Sequence, residues 1–245
     1  MEKKTEQFDY LTHYANDPEE FDYFEKRTGA TFDEEKRLRE VIGLQVPKNI
    51  KRILDVGCGQ GWVAKKFLPK DKQVISLDVS KSNPSKIQEL YSNKNNLSIV
   101  GDSFHLPFIS GSIDCVIASE VIEHVINPES FIEELFRVIK KGGRLILSTP
   151  YKEKIRYYLC IHCNKKTSAN AHLHSFDEDI LHGLYKKSDL DKFHYQIFGN
   201  KFLIYMRTHI VLKYLPLQVW LAVDWIANKI YNKPLHIVFV YEKKD

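Results

Sequence analysis

The chain has 245 residues, 43% hydrophobic and 12% aromatic, with 36 Lys and Arg against 32 Asp and Glu for a net charge of +4. That length makes one large domain or two small ones, and the apolar content supplies a full core, which excludes disorder for most of the chain. So mild a positive charge does not point to nucleic acid, which needs a concentrated basic face, and nucleic acid is not expected as a partner. Charge is also uneven: residues 1–50 carry 12 acids and 8 bases, net −4, which leaves +8 on residues 51–245. The four cysteines, Cys58, Cys115, Cys160 and Cys163, do not form a secreted disulfide framework. The first residues, MEKKTEQFDY, hold no apolar leader core, and no apolar run reaches 18 residues. A cytoplasmic, reduced protein is expected.

Residues 1–50 read as a charged helical cap, with one helix running to Ile42 from a Thr31 or Asp33 cap and stopped by Pro47. Short apolar runs then recur at residues 52–56, 73–79, 97–101, 113–119 and 144–149, the last announced by the turn Lys141-Gly142-Gly143. Helical stretches fall between them, the clearest at 128–140 with Phe131, Leu135, Val138 and Ile139 on one face. Strands alternating with helices predict a parallel sheet with right-handed crossovers. Residues 151–175 break the rhythm with a Cys/His-rich insert. A helix is predicted over 175–187, with Ser175 as N-cap and Glu178 completing a capping box. A strand is predicted at 193–198, two apolar helices at 201–229 split at Pro216, and a final antiparallel strand at 236–241.

The strongest functional signal is Asp55-Val-Gly57-Cys-Gly59-Gln-Gly61 at the end of the first strand. Glycines there let the backbone approach a ligand and turn into a helix. Trp62 follows Gly61, so the dinucleotide pattern G-x-G-x-x-G fails. Asp78 ends the second strand, Gly101-Asp102 the third and Ser119-Glu120 the fourth. Carboxyl ends of strands are where open α/β sheets bind ligands. The loop resembles motif I of the class I S-adenosylmethionine-dependent methyltransferases, in the broad type 11 group, and the likeness extends over residues 50–150. It implies a doubly wound, Rossmann-like α/β fold with a seven-stranded sheet whose last strand is antiparallel, residues 51–245 being the methyltransferase domain. It further implies that Gly57, Gly59 and Gly61 line the methionine moiety of S-adenosylmethionine, Asp78 the ribose and Asp102 the adenine. Asp55, Ser103 and Ser119 complete the expected cofactor set.

Glu120, Glu123 and His124 form E-x-x-E-H, with the two acids on one face of a helical turn. They are the candidate general base, together with Tyr151 and His172 as pocket residues. The motif resembles that of ubiquinone-biosynthesis O-methyltransferases and of small-RNA 3′-terminal 2′-O-methyltransferases, where it can ligate a divalent cation such as Mg²⁺. A plain role in capping and packing the helix start stays open beside it. Cys160, Cys163, His172 and His174 are four candidate zinc ligands within 15 residues, against the alternative of a reduced thiol pair and a pocket histidine. The apolar stretch 201–230, flanked by Lys201, Arg207, Lys213 and Lys229, reads either as core helices or as a face for peripheral membrane contact. The expected function is methyl transfer from S-adenosylmethionine to oxygen of a small-molecule or lipid-like acceptor. The alternatives are an RNA methyltransferase and a non-catalytic, cofactor-binding or zinc-bridged module. The oligomeric state is left open.

Overall fold

The computed structural model describes residues 8–245; the first seven residues, part of the stretch read as holding no leader, lie outside the described residues. The chain opens with two helices, α1 (Tyr10–Glu20) and α2 (Gly29–Gln45). Asp9 caps α1 by accepting the Thr12 N–H at 3.1 Å. Neither Thr31 nor Asp33 caps α2, which starts at Gly29 after an extended Thr28. Asp33 instead lies buried within α2 beside Arg37.

The elements then alternate: β1 (Arg52–Val56), α3 (Trp62–Phe67), β2 (Gln73–Asp78), α4 (Ser82–Leu90), β3 (Asn96–Val100), β4 (Ile113–Ser119), α5 (Pro128–Val138) and β5 (Ile139–Pro150). A small hairpin follows, β6 (Tyr157–Leu159) and β7 (Lys166–Ser168), then α6 (Glu178–Gly183) and β8 (Leu190–Asn200). Three helices, α7 (Lys201–Tyr205), α8 (His209–Leu212) and α9 (Leu217–Ile230), lead to β9 (Pro234–Lys243). The main sheet has seven strands in the order β3-β2-β1-β4-β5-β9-β8. Strands β1 to β5 pair in parallel, and β9 runs antiparallel between β5 and β8.

The central strands are continuous apolar runs because both their faces are covered. Leu54, Val116 and Leu147 pack on one face with Phe131, Leu135 and Phe136 of α5. Ile53, Ile117 and Ile146 pack on the other with Val41 and Ile42 of α2 and Val63 of α3.

Three local expectations are corrected. α5 ends at Val138 rather than Lys140, because Ile139 pairs with Ile113 and begins β5, which absorbs the expected turn at Gly142. α6 starts at Glu178 rather than Ser175. Phe176 is buried and bridges Tyr151 in extended conformation, so the helix cannot begin before Asp177, which caps it by accepting the Ile180 N–H at 2.9 Å. The stretch after β8 holds three helices rather than two. Arg207, in the left-handed region at φ 55°, separates α7 from α8, while Pro216 sits at the start of α9.

Candidate active site

The glycine loop leaves β1 and folds back over the neighbouring strand. The Gly57 and Cys58 N–H groups donate to the Leu77 carbonyl of β2 at 2.9 and 3.1 Å. Gly57 and Gly61 have φ of 67° and 71°, and a Cβ would lie 2.6 Å from Val121 at the first and 2.7 Å from Ile87 at the second. Bare backbone is therefore the only residue type that fits without displacement. Gly59 differs, since a Cβ there would meet only the Tyr23 ring, at 3.5 Å.

The loop forms one wall of a cavity of about 310 Å³ at the carboxyl ends of β1, β2 and β4. Gly57, Cys58 and Gly59 line it with Asp78, Asp102, Ser103, Ser119 and Glu120. Gly61 does not line it but packs beneath the loop against Ile87. Asp55 is also absent from the wall: its side chain is buried below the loop, one carboxyl oxygen lacks a partner, and burial pushes its pKa well up. Asp78 accepts the Gly59 N–H at 3.2 Å, the Ser80 N–H at 3.0 Å and the Asn83 amide at 3.3 Å. Asp102 accepts the Tyr10 hydroxyl at 2.9 Å, the Phe104 N–H at 3.0 Å and pairs with His105 at 3.0 Å. Five carboxylates (Asp17, Glu35, Asp78, Asp102 and Glu120) face the cavity against the single guanidinium of Arg39, itself paired with Glu35 at 2.7 Å. Such a field favours a cationic ligand.

Glu120 stands at the end of β4 with φ 56°, a strained conformation for a residue with a side chain. The Ser148 hydroxyl donates to it at 2.9 Å, and His236 Nδ1 lies 3.5 Å away. Burial would raise its pKa, but the His236 charge and these bonds hold it below the ordinary carboxylate range. His236 itself, bonded to Glu34 at 2.8 Å, is pushed up to about 10: Glu120 and Glu34 outweigh its burial. His124, on the short 3-10 turn Ile122–His124, lines the cavity and meets the Tyr14 hydroxyl through Nδ1 at 3.1 Å. Burial and neighbouring His172 lower its pKa to about 4, so it is neutral near pH 7.

Behind His124, Glu123 is buried with both carboxyl oxygens lacking a hydrogen-bond partner, and burial followed by Glu120 raises its pKa well up. Ligand atoms of Glu123, His124 and His172 all lie within 4.8 Å of one another. The expected cation set is thereby redrawn, because Glu120 is turned to Ser148 and His236 while His172 joins. Tyr151 and His172 do not line the cavity: Tyr151 packs by Phe176, and His172 sits behind His124 at a ring distance of 4.8 Å, paired with Glu153. The four-ligand zinc set is not assembled among the described residues. His174 bonds the Val125 carbonyl at 2.9 Å, while Cys160 and Cys163 stand on the loop between β6 and β7. Backbone N–H groups of Cys163 and His162 hold the Cys160 thiol below its usual pKa.

Tyr10, Tyr14 and Asp17 of α1 and Leu38 of α2 line the cavity; they belong to residues 1–50, the stretch expected as a helical cap over the cofactor but carrying no motif that names these residues. The available signal was Tyr10 and Tyr14 at i and i+4 on one helix face.

A family profile described as a methyltransferase domain matches residues 54–147. The ubiquinone biosynthesis O-methyltransferase of Shewanella halifaxensis is 30% identical over 163 residues, covering 60% of this chain and 68% of that protein. The biotin biosynthesis bifunctional protein BioHC of Cellvibrio japonicus is 29% identical over 129 residues, covering 50% of this chain. The chain spans only 26% to 49% of the length of BioHC and three further curated relatives. The fold is shared with an S-adenosylmethionine-dependent methyltransferase from Mesorhizobium loti, at a TM-score of 0.61 and 13% identity over 86% of this chain and 99% of that one. With the glycine loop, the acidic strand ends and the sheet order all in place, the chain belongs to the class I S-adenosylmethionine-dependent methyltransferases.

Proposed function

We propose that the chain transfers the methyl group of S-adenosylmethionine to a hydroxyl oxygen of a small or lipid-like acceptor. The observation that carries this reading is ionised Glu120 beside neutral His124 on the wall of the cavity that the glycine loop bounds. The Shewanella relative is an O-methyltransferase by name, and that acceptor chemistry is carried over here as part of the proposal.

The residues fit the cofactor: the open face of Gly59 gives backbone access, Asp78 and Asp102 offer acceptors, and the acidic wall suits a sulfonium. S-adenosylmethionine supplies a methyl already activated on positively charged sulfur. When bound, it would give up that methyl to the acceptor oxygen and leave as the neutral thioether, while Glu120 would accept the hydroxyl proton. An oxygen that is gaining a methyl becomes strongly acidic, so even a carboxylate of lowered pKa suffices as its acceptor. Ser148 and His236 hold that carboxylate in place, and the tyrosines of α1 exclude water from the cavity.

Glu123, His124 and His172 would hold a divalent cation, two imidazoles and a carboxylate being a suitable donor set. A cation there would polarise the acceptor oxygen. Incubating the protein with S-adenosylmethionine and a panel of catechols and phenols, with and without Mg²⁺, and following S-adenosylhomocysteine release tests the reading. Turnover lost in Glu120→Gln with cofactor affinity retained is the expected result. Methylation of nitrogen acceptors alone, or full turnover in that variant, would overturn it.

A further inference from the structure

Helix α9 is apolar on both sides: Trp220 packs into the core with Leu217 and Leu221 against it. It buries Asp224, which accepts the Gly199 N–H at 3.1 Å and the Asn228 amide at 3.1 Å. Its outer face shows Val219, Trp225, Ile226 and Ile230, exposed by 48%, 63%, 51% and 81%. These positions fall on one side of the helix, where a soluble surface would place polar residues. The preceding helices continue the pattern with Tyr205 at 82% and Tyr214 at 78% exposed, and with Ile210 and Val211 also exposed. Phe202 of α7 packs on Tyr231 just after α9 at a ring distance of 5.8 Å, which joins the two helices at one end. Large exposed apolar patches mark sites of interaction.

Charge identifies the occupant. Residues 201–233 hold five bases (Lys201, Arg207, Lys213, Lys229 and Lys233) and one acid, the buried Asp224. The Lys213 ammonium lies over the Tyr214 ring at 5.0 Å and that of Lys229 over Trp225 at 5.6 Å, so positive charge sits directly beside the exposed aromatic surface. A second copy would bring a like-charged face against this one, which disfavours self-association. An anionic bilayer offers what both parts need: hydrocarbon for Trp225, Ile226 and Ile230, and headgroup charge for the bases. Tyrosine and tryptophan belong at that boundary. α9 has 14 residues, about 21 Å at 1.5 Å per residue, well short of a hydrocarbon core of about 30 Å, so the helix would lie in the surface plane.

We propose that α7, α8 and α9 form a peripheral docking face for an anionic lipid bilayer. Helix α2 ties this face to the cavity. Arg37 donates to the Leu212 and Leu215 carbonyls at 2.9 and 3.0 Å, and Lys36 to that of Lys213 at 3.0 Å, while Glu35, Leu38 and Arg39 of the same helix line the cavity. One helix therefore joins the docking face to the wall of the cavity.

Vesicle flotation tests the proposal, using phosphatidylcholine alone against equal parts of phosphatidylcholine and phosphatidylglycerol, at low and high salt. The expected result is partition onto the mixed vesicles, lost at high salt, with a blue shift of tryptophan emission. Lys229→Glu with Lys233→Glu should lower the partition coefficient more than about tenfold, each basic residue being worth roughly fivefold. Trp225→Ser with Ile226→Ser should lower it about as much at an unchanged melting temperature. Three results would overturn the proposal. One is equal binding to neutral and anionic vesicles. Another is no binding at low salt by chain shown to be folded. The third is a stable wild-type dimer that the Trp225 and Ile226 changes convert to monomer.

Discussion

Gly57, Gly59 and Gly61 alternate in sequence but face three different constraints. All three have positive φ, which costs a residue with a Cβ about 1–2 kcal/mol. At Gly57 and Gly61 the added Cβ would also strike Val121 or the fully buried Ile87 below 3 Å. Gly57→Ala and Gly61→Ala should each destabilise by about 2–3 kcal/mol and lower the melting temperature by roughly 5–10 °C. Gly59→Ala meets only ordinary van der Waals contact with the Tyr23 ring, so its cost stays near the conformational term of about 1 kcal/mol and its main effect falls on cofactor affinity. A melt in which Gly59→Ala proves the least stable of the three would contradict this ordering. Asp78 carries a second residue-level expectation. If its carboxylate holds the ribose hydroxyls, Asp78→Ala loses two charge-assisted bonds, about 2–4 kcal/mol or roughly 30- to 1000-fold in affinity by calorimetry. Asp78 also ties Gly59 and Asn83 to β2, so the melting temperature of that variant separates loop loosening from a lost ligand contact.

Among the elements, legibility in sequence followed burial. β1, β4 and β9 read clearly as RILDV, IDCVIAS and HIVFVY because strands covered on both faces need unbroken apolar runs. The acids at the carboxyl ends of β2, β3 and β4, Asp78, Asp102 and Glu120, marked the ligand edge, since a charge at the end of a buried run needs an outlet. Element ends read less well. Ile139 finishes the apolar face of α5 in sequence, but its backbone is claimed by Ile113, and Phe176 delays α6 through a core contact with no local sign. His236, which braces Glu120, was invisible as a site residue because its other partner, Glu34, lies 202 positions away. The burial of Asp224 in α9 was equally hidden, as composition alone does not tell which face turns inward. That carboxyl yields a pH prediction. Burial raises the Asp224 carboxyl to about 6 from the ordinary 3.8, with the Gly199 and Asn228 bonds opposing. The folded state therefore binds this proton more tightly than the unfolded chain. The side chain favours folding below pH 4, and that advantage is lost as pH rises to about 6. Asp224→Asn keeps an acceptor for the Gly199 N–H and removes the buried charge. Urea unfolding at pH 7 should show it more stable than the parent by about 1–3 kcal/mol, with the difference vanishing below pH 4.

At the scale of the molecule, the cavity is a seam between the sheet edge and a cover drawn from the amino-terminal helices. Tyr10 fastens α1 to Asp102 beyond β3, and Tyr14 fastens it to His124 beyond β4, so one short helix bridges two strand ends. The described part of α1 contributes no fully buried residue, and its hold on the sheet depends on these few polar contacts. A nucleoside filling the space between would add contacts to both sides at once, coupling cofactor binding to the order of the cover. Ligand that binds only the folded state stabilises it by mass action, about 2.7 kcal/mol at a hundredfold excess over its Kd. For a chain of this length that corresponds to a rise of roughly 5–10 °C in melting temperature. S-adenosylhomocysteine should produce that rise and slow amide exchange in α1 above all, because α1 lines the cavity and has no fully buried residue to hold it closed without ligand. Asp78→Ala at the same ligand concentration should keep at most about a third of the rise and show correspondingly weaker protection of α1. Equal thermal shifts in parent and variant would mean that the nucleoside binds elsewhere, and exchange slowed in the central strands but not in α1 would mean that the cover takes no part in holding it.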